Sequence, residues 1–274
     1  HPRTRSTAAG LQLVAEPTAG KLVVVGTGIR TTGQLTIEAI AWMKAADVLF
    51  YLVADPVAEE VISHLRSDEP VDLRSRYDVG KPRRESYEAM AEEVAAAVKA
   101  GHVVCLALYG HPGVFARMPY LAIDRVHAMG APAEMLPAVS AEDCLFAELL
   151  VDPGMGCAQF EATNFLQHDH SADPSIHLLL WQIGILGDWT HQVDRESSHN
   201  LALLVEKLSR WYPASHKVTI YQASVHLGKP PRADSISLAE LPNTDLGPGC
   251  TLHIPPAQTF TSDPEFADRI ERVT

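Results

Sequence analysis

Apolar positions along this chain fall into two rhythms, short unbroken runs and stripes at helical spacing. Lys21-Leu22-Val23-Val24-Val25 predicts a first strand, entering the glycine turn Gly26-Thr27-Gly28. Ile37, Ile40, Ala41 and Met43 then recur at helical spacing before a second run from Val48 to Val53. Asp55-Pro56 opens a helix with Val57, Val61, Ile62 and Leu65 on one face. Between about 71 and 82 the pattern breaks down into polar loop. Helical spacing resumes at Tyr87, Met90, Val94 and Val98 and ends at Gly101, where a C-cap belongs. The run from Val103 to Leu108 reads as a buried parallel strand, followed by a helix from about Pro119 and a short segment from Ala133 to Leu136. Ser140 reads as an N-cap with Glu142 and Asp143 in the first turn.

The first part therefore alternates strands and helices, the signature of a parallel α/β sheet. A loop-rich zone from Asp152 to Cys157 marks a boundary. Beyond it, strands are expected over 176–182, 217–221 and 251–254, with an amphipathic helix from Leu201 to Tyr212 and a loop-rich stretch at 228–250. The second part is thus also α/β, with a mixed sheet. The division is a flexible tail over 1–20, an N-terminal α/β domain over 21–150, a C-terminal α/β domain over 151–256 and a tail over 257–274, where 262–272 looks like a short polar helix.

At 274 residues, with 46% hydrophobic and 20% charged positions, the chain reads as a soluble globular protein. No apolar run is long enough to span a membrane. A net charge of -12 argues against a nucleic-acid backbone as the main partner. Cys105, Cys144, Cys157 and Cys250 show no CxxC pair, which fits buried free thiols in a reducing cytoplasm.

Several familiar catalysts are missing, among them a GxSxG elbow, a Walker loop and HExxH. The Gly26-Thr27-Gly28 turn starts like a dinucleotide fingerprint, but position 31 is Thr, and a tight turn explains it better. His168-Asp169-His170 lies in a polar stretch, where a solvated loop is a simpler account than a metal site. The loop Tyr109-Gly110-His111-Pro112-Gly113-Val114-Phe115 follows a strand end, the usual position for a ligand in an open α/β sheet. By local pattern alone it is an ordinary strand-to-helix turn. Tyr77, Arg83 and Tyr87 form a second group: Arg83 lies one turn before Tyr87, and a guanidinium beside a phenol favours the phenolate. Such a phenolate suits removal of a proton from a weak acid, and a surface Arg–Tyr stack fits the pattern equally well.

Taken together, Leu22–Gly28, Tyr109–Phe115 and Met135–Asp143 resemble the tetrapyrrole-methylase-fold (class III) S-adenosylmethionine methyltransferases. Within them, the spacing Asp72-Leu73-x3-Tyr77-Asp78-x-Gly80-Lys81-x-Arg83-x3-Tyr87 and the segment Ser140–Ala147 resemble the borosin peptide α-N-methyltransferases of the omphalotin type. The resemblance runs from about Leu22 to Pro256. It implies two α/β domains with S-adenosylmethionine in the cleft between them, S-adenosylhomocysteine as product, and a homodimer. Tyr109, His111, Val114 and Phe115 would lie along the cofactor. Ser140 and Ala141 would hold its far side, and Gln182, Ala223 and Thr251 would line the adenine. Tyr77 would be the base that takes a backbone amide proton, with Arg83 and Tyr87 polarising the amide oxygen.

Fused members of that family carry a clasp and their own substrate peptide at the C-terminus. Here only 257–274 follow Pro256, so the resemblance implies a split enzyme acting on a separate precursor peptide. Arg74 stands where some relatives place a tyrosine. The rival readings are a class III methyltransferase of a corrinoid precursor or other small molecule, which needs a basic cleft, and a non-catalytic module that binds peptide or cofactor.

Overall fold

The structure is a computed structural model that describes residues 20–53, 55–77, 82–188 and 198–270. The expected N-terminal tail lies outside these residues apart from Gly20, as do Asp78, Gly80 and Lys81 of the loop motif. Two five-stranded sheets carry the chain.

The first sheet is parallel in the order β3-β2-β4-β1-β5, from β1 (Lys21–Gly26), β2 (Val48–Leu52), β3 (Val71–Asp72), β4 (Val103–Leu108) and β5 (Ala133–Met135). β1 and β4 are apolar throughout because both faces are covered. On one face Val23, Val25, Cys105 and Ala107 pack against α2 (Ile37–Ala45) and α3 (Pro56–His64), which follow the one-turn α1 (Thr31–Gln34). On the other face Leu22, Val24, Val104 and Leu106 pack against α4 (Arg83–Lys99) and α5 (Met118–Ala128). The chain therefore leaves the adjacent strands β1 and β4 toward opposite faces. That divergence opens a crevice at their carboxyl ends, the switch point where ligands bind in such sheets.

The ends of these two strands are tied together. Gly28 and Gly110 form an isolated bridge, and both have positive φ, 70° and 67°. A side chain at Gly26 would overlap the Gly110 carbonyl, so the two turns need glycine to come this close.

After α6 (Ala141–Leu149) the second sheet follows the order β6-β7-β10-β8-β9. β6 (Cys157–Glu161) runs parallel to β7 (His177–Trp181), while β8 (Lys217–Gln222), β9 (Arg232–Ser237) and β10 (Thr251–Ile254) pair antiparallel, so the sheet is mixed. One face buries Leu178, Leu180, Ile220 and Leu252 under α7 (Ala162–Gln167) and α8 (Ser198–Leu208). The other face turns Leu179, Trp181 and Tyr221 onto Cys144 and Leu145 of α6 and onto Ile29. α6 is thus wedged between the halves. The short α9 (Pro264–Ala267) follows.

Several boundaries differ from expectation. The stretch at 71–82 is not all loop: β3 pairs with β2, and Leu73–Arg76 form a 3-10 turn with Leu73 fully buried. Arg83 is the first residue of α4, rather than lying ahead of a helix begun at Tyr87. The 228–250 stretch holds β9 and a 3-10 segment, Leu238–Asn243, and β6 begins inside the expected boundary zone. α8 ends at Leu208, and Tyr212 is buried in the turns beyond it.

His253 on β10 is buried, and its Nε2 shares a 2.9 Å hydrogen bond with His177 Nδ1. Burial, reinforced by His177, lowers its pKa from 6.5 to about 4. Between those values the unfolded chain binds a proton that the folded chain does not, so stability falls as pH drops from about 6.5 to about 4. The expected loss is on the order of 3 kcal/mol, from 1.36 kcal/mol per pKa unit. Urea unfolding at stepped pH should show this slope and its flattening in His253→Leu.

Candidate active site

A cavity of about 330 Å3 opens at the carboxyl ends of β1 and β4, roofed by the second sheet. That volume is in the range of small-molecule sites. Tyr109, His111, Val114 and Phe115 line it from the loop after β4, and Ser140 and Ala141 from the start of α6. Gln182, Ala223 and Thr251 line it from the second sheet, and Tyr77 and Tyr87 from the 3-10 turn and α4. Arg83 is not among the described residues that line the cavity.

The loop after β4 is held by its own hydrogen bonds. The Gly113 N–H donates to His111 Nδ1 at 2.9 Å, which leaves the imidazole proton on Nε2. The Tyr120 hydroxyl donates to the Gly113 carbonyl at 2.9 Å. Phe115 sits at φ 52° and tilts against Trp181 with ring centroids 5.2 Å apart. Gln182 also has positive φ, 62°. Two non-glycine residues in the left-handed region at one cavity fit the tendency of backbone strain to gather at functional sites.

Ser140 and Asp143 form a capping box: the Asp143 N–H donates to Ser140 Oγ at 3.2 Å, and the Ser140 N–H to Asp143 Oδ2 at 2.7 Å. Both residues are thereby used in fixing the start of α6, with the remaining first-turn N–H groups near the cavity. α6 is also tied to both halves. Gln34 Nε2 donates to Cys144 Sγ at 3.4 Å, and the Tyr221 hydroxyl donates to Glu148 at 2.6 Å.

Tyr77 and Tyr87 meet edge-on with ring centroids 6.1 Å apart, and their hydroxyls are hydrogen-bonded. The Tyr77 pKa is raised above the ordinary 10, chiefly by burial, then by Tyr87; the Arg83 charge lowers it but is outweighed. The guanidinium favours the phenolate as expected, but the net shift runs the other way. Desolvation of a charged phenolate wins over one nearby cation.

Sequence reasoning passed over Ile29, Leu52, Trp181 and Gln222, which also line the cavity. Trp181 and Gln222 directly precede or follow an expected strand end, and that position was the available signal. Arg117 is the one formally charged side chain among the described lining residues. The His168 and His170 rings bond Asn164 instead, and no group of three or more metal-ligating side chains occurs among the described residues. No helix among them is long and apolar enough to cross a membrane.

Residues 21–224 match the family model for Tetrapyrrole (Corrin/Porphyrin) Methylases. The chain belongs to this family. It is 36% identical over 258 residues to the methyltransferase/ribosomally synthesized cyclic peptide omphalotin A precursor of Omphalotus olearius, covering 92% of this chain and 62% of that protein. It is also 36% identical over 260 residues to the type I borosin cyclic peptide precursor methyltransferase of Serendipita vermifera subsp. bescii, covering 93% and 63%. The chain thus spans less than two thirds of these relatives. Among solved structures, uroporphyrin-III C-methyl transferase from Thermus thermophilus complexed with S-adenyl homocysteine superposes with TM-score 0.55 at 20% identity, over 86% of this chain and 97% of that one. The tetrapyrrole methylase fold expected from the sequence is therefore present.

Proposed function

We propose that this methylase-family chain transfers methyl groups from S-adenosylmethionine to backbone amide nitrogens of a peptide, presented as a separate chain. The observation that carries the proposal is the Tyr77–Tyr87 pair standing in the same cavity as the Tyr109–Phe115 loop. Similarity to peptide-precursor methyltransferases at 36% identity supports it. So does the lining, where Arg117, the single charged residue among the described ones, is a poor match for a polycarboxylate tetrapyrrole.

The residues present fit the cofactor. Tyr109, Phe115 and Trp181 offer aromatic surface to a cation, the Gln182, Gln222 and Thr251 side chains offer polar groups to a purine edge, and the start of α6 offers N–H groups to a carboxylate. S-adenosylmethionine, when bound, supplies an electrophilic methyl group on a cationic sulfonium.

An amide nitrogen is a weak nucleophile because its lone pair is delocalised into the carbonyl. Tyr77, ionised first, would take the amide proton at Oη: the N–H bond breaks, an O–H bond forms and the phenol is neutral again. Tyr87 would donate to the amide oxygen as charge builds there. Arg83 would act through its charge on Tyr77. Because the Tyr77 pKa lies above 10, the methylation rate should climb with pH from 7 to about 9.5 without a plateau, up to tenfold per unit. A flat profile in single-turnover assays would remove a tyrosine base.

The test of substrate class is a competition read by intact mass. With S-adenosylmethionine, the chain should add methyl groups to an apolar peptide and leave a tetrapyrrole carboxylate unchanged. Methylation of the tetrapyrrole alone would overturn the proposal.

A further inference from the structure

Tyr77 enters the cavity from a single 3-10 turn, Leu73–Arg76, that follows a strand of two residues. At its ends the turn is closed by the Tyr77 N–H, which donates to the Arg74 carbonyl at 3.0 Å, and by the Arg74 N–H, which donates to Asp72 Oδ1 at 2.8 Å. Leu73 anchors it by complete burial in the core under α4. Val71 and Tyr77 are only partly buried against the same core, so the polar part of the turn is the part open to a pivot.

Two arginines oppose that pivot from opposite sides. Arg74 grips the Asp72 carboxylate, Nε at 3.0 Å and Nη2 at 2.7 Å from Oδ2, and reaches Glu59 on α3 through Nη1. Arg76 takes both oxygens of Glu93 on α4, Nε to Oε2 at 2.8 Å and Nη2 to Oε1 at 2.9 Å. This side-by-side pairing is the geometrically specific form of an arginine–carboxylate bond. α3 and α4 cover opposite faces of the first sheet, so the turn is strung between the two faces.

We propose that Arg74 and Arg76 are positioning residues, a two-sided clamp that sets the approach of Tyr77 to the substrate nitrogen. The inference rests on the peptide-methylation reading above. Half-exposed ion pairs add little to global stability, so their effect falls on the placement of the turn. Placement matters because a shift of about 1 Å at a reacting group can cost on the order of a hundredfold in rate.

The test uses Arg76→Glu, Glu93→Arg and their combination in the full chain. Arg76→Glu should lower kcat about tenfold, with the peptide KM and S-adenosylmethionine Kd within about twofold. Amide hydrogen exchange over residues 73–77 should accelerate in this variant. The charge-swapped double variant should regain at least half of the lost turnover and the slow exchange. Arg74→Met should behave like Arg76→Glu. Unchanged kcat in both single variants, or no rescue by the swap, would overturn the clamp. If the unaltered chain methylates no peptide, the functional reading falls, and the exchange rates alone decide: unchanged protection in Arg76→Glu and Arg74→Met overturns the clamp.

Discussion

Phenylalanine at position 77 is expected to slow peptide methylation by about 10^2- to 10^4-fold, the range typical of losing a general base. S-adenosylmethionine affinity should stay within about twofold. The substitution removes the hydroxyl and its bond to Tyr87 while keeping the ring that meets Tyr87 edge-on. The remaining cavity wall, from the loop after β4 to Thr251, is untouched. Single-turnover kinetics with calorimetric titration of the cofactor would separate the two effects. Full activity in Tyr77→Phe would assign the proton to another acceptor, and a matching loss of cofactor affinity would make Tyr77 a wall of the cofactor site.

The second large effect is expected at Gly26, the last residue of β1. A Cβ there would overlap the Gly110 carbonyl and stand 2.5 Å from Ala138 Cβ and 2.8 Å from Pro112 Cδ. The carbonyl belongs to a backbone bridged to Gly28 at positive φ and has no room to turn aside. Gly26→Ala should therefore destabilise the fold by about 3 kcal/mol, the upper end for overpacking, and displace the loop that carries His111 and Phe115. Cofactor binding should weaken by roughly a hundredfold or more if that loop moves out of place. Gly33 is the matched control: a Cβ there meets nothing within 4 Å, so Gly33→Ala should leave urea melts and cofactor titration unchanged.

The parallel sheet was legible because its central strands are continuous apolar runs, buried on both faces, with amphipathic helices between them. Ser140 was legible as an N-cap because serine followed by acids is a local signal, and the capping box depends on neighbours alone. β9 was not, since Arg232–Ser237 is a polar strand at the edge of the described sheet, paired with β8. The turn at 73–76 was hidden for a different reason. Besides the local Asp72 cap, it bonds Glu59 and Glu93 on helices remote in sequence, and no local pattern encodes such a pairing. The cavity residues came largely through the family resemblance; pattern alone left the Tyr109–Phe115 loop an ordinary turn. Arg83 shows the limit of spacing arguments. It lies one turn from Tyr87 as counted, yet only Tyr87 reaches the lining, and the burial that raises the Tyr77 pKa depends on tertiary packing.

The measurement that tests the central claim most directly is fragmentation mass spectrometry of a peptide incubated with the chain and S-adenosylmethionine. The account predicts added methyl groups on backbone nitrogens in the unaltered chain and their near absence with Tyr77→Phe. Methyl groups found only on side chains, or equal backbone methylation by Tyr77→Phe, would contradict it.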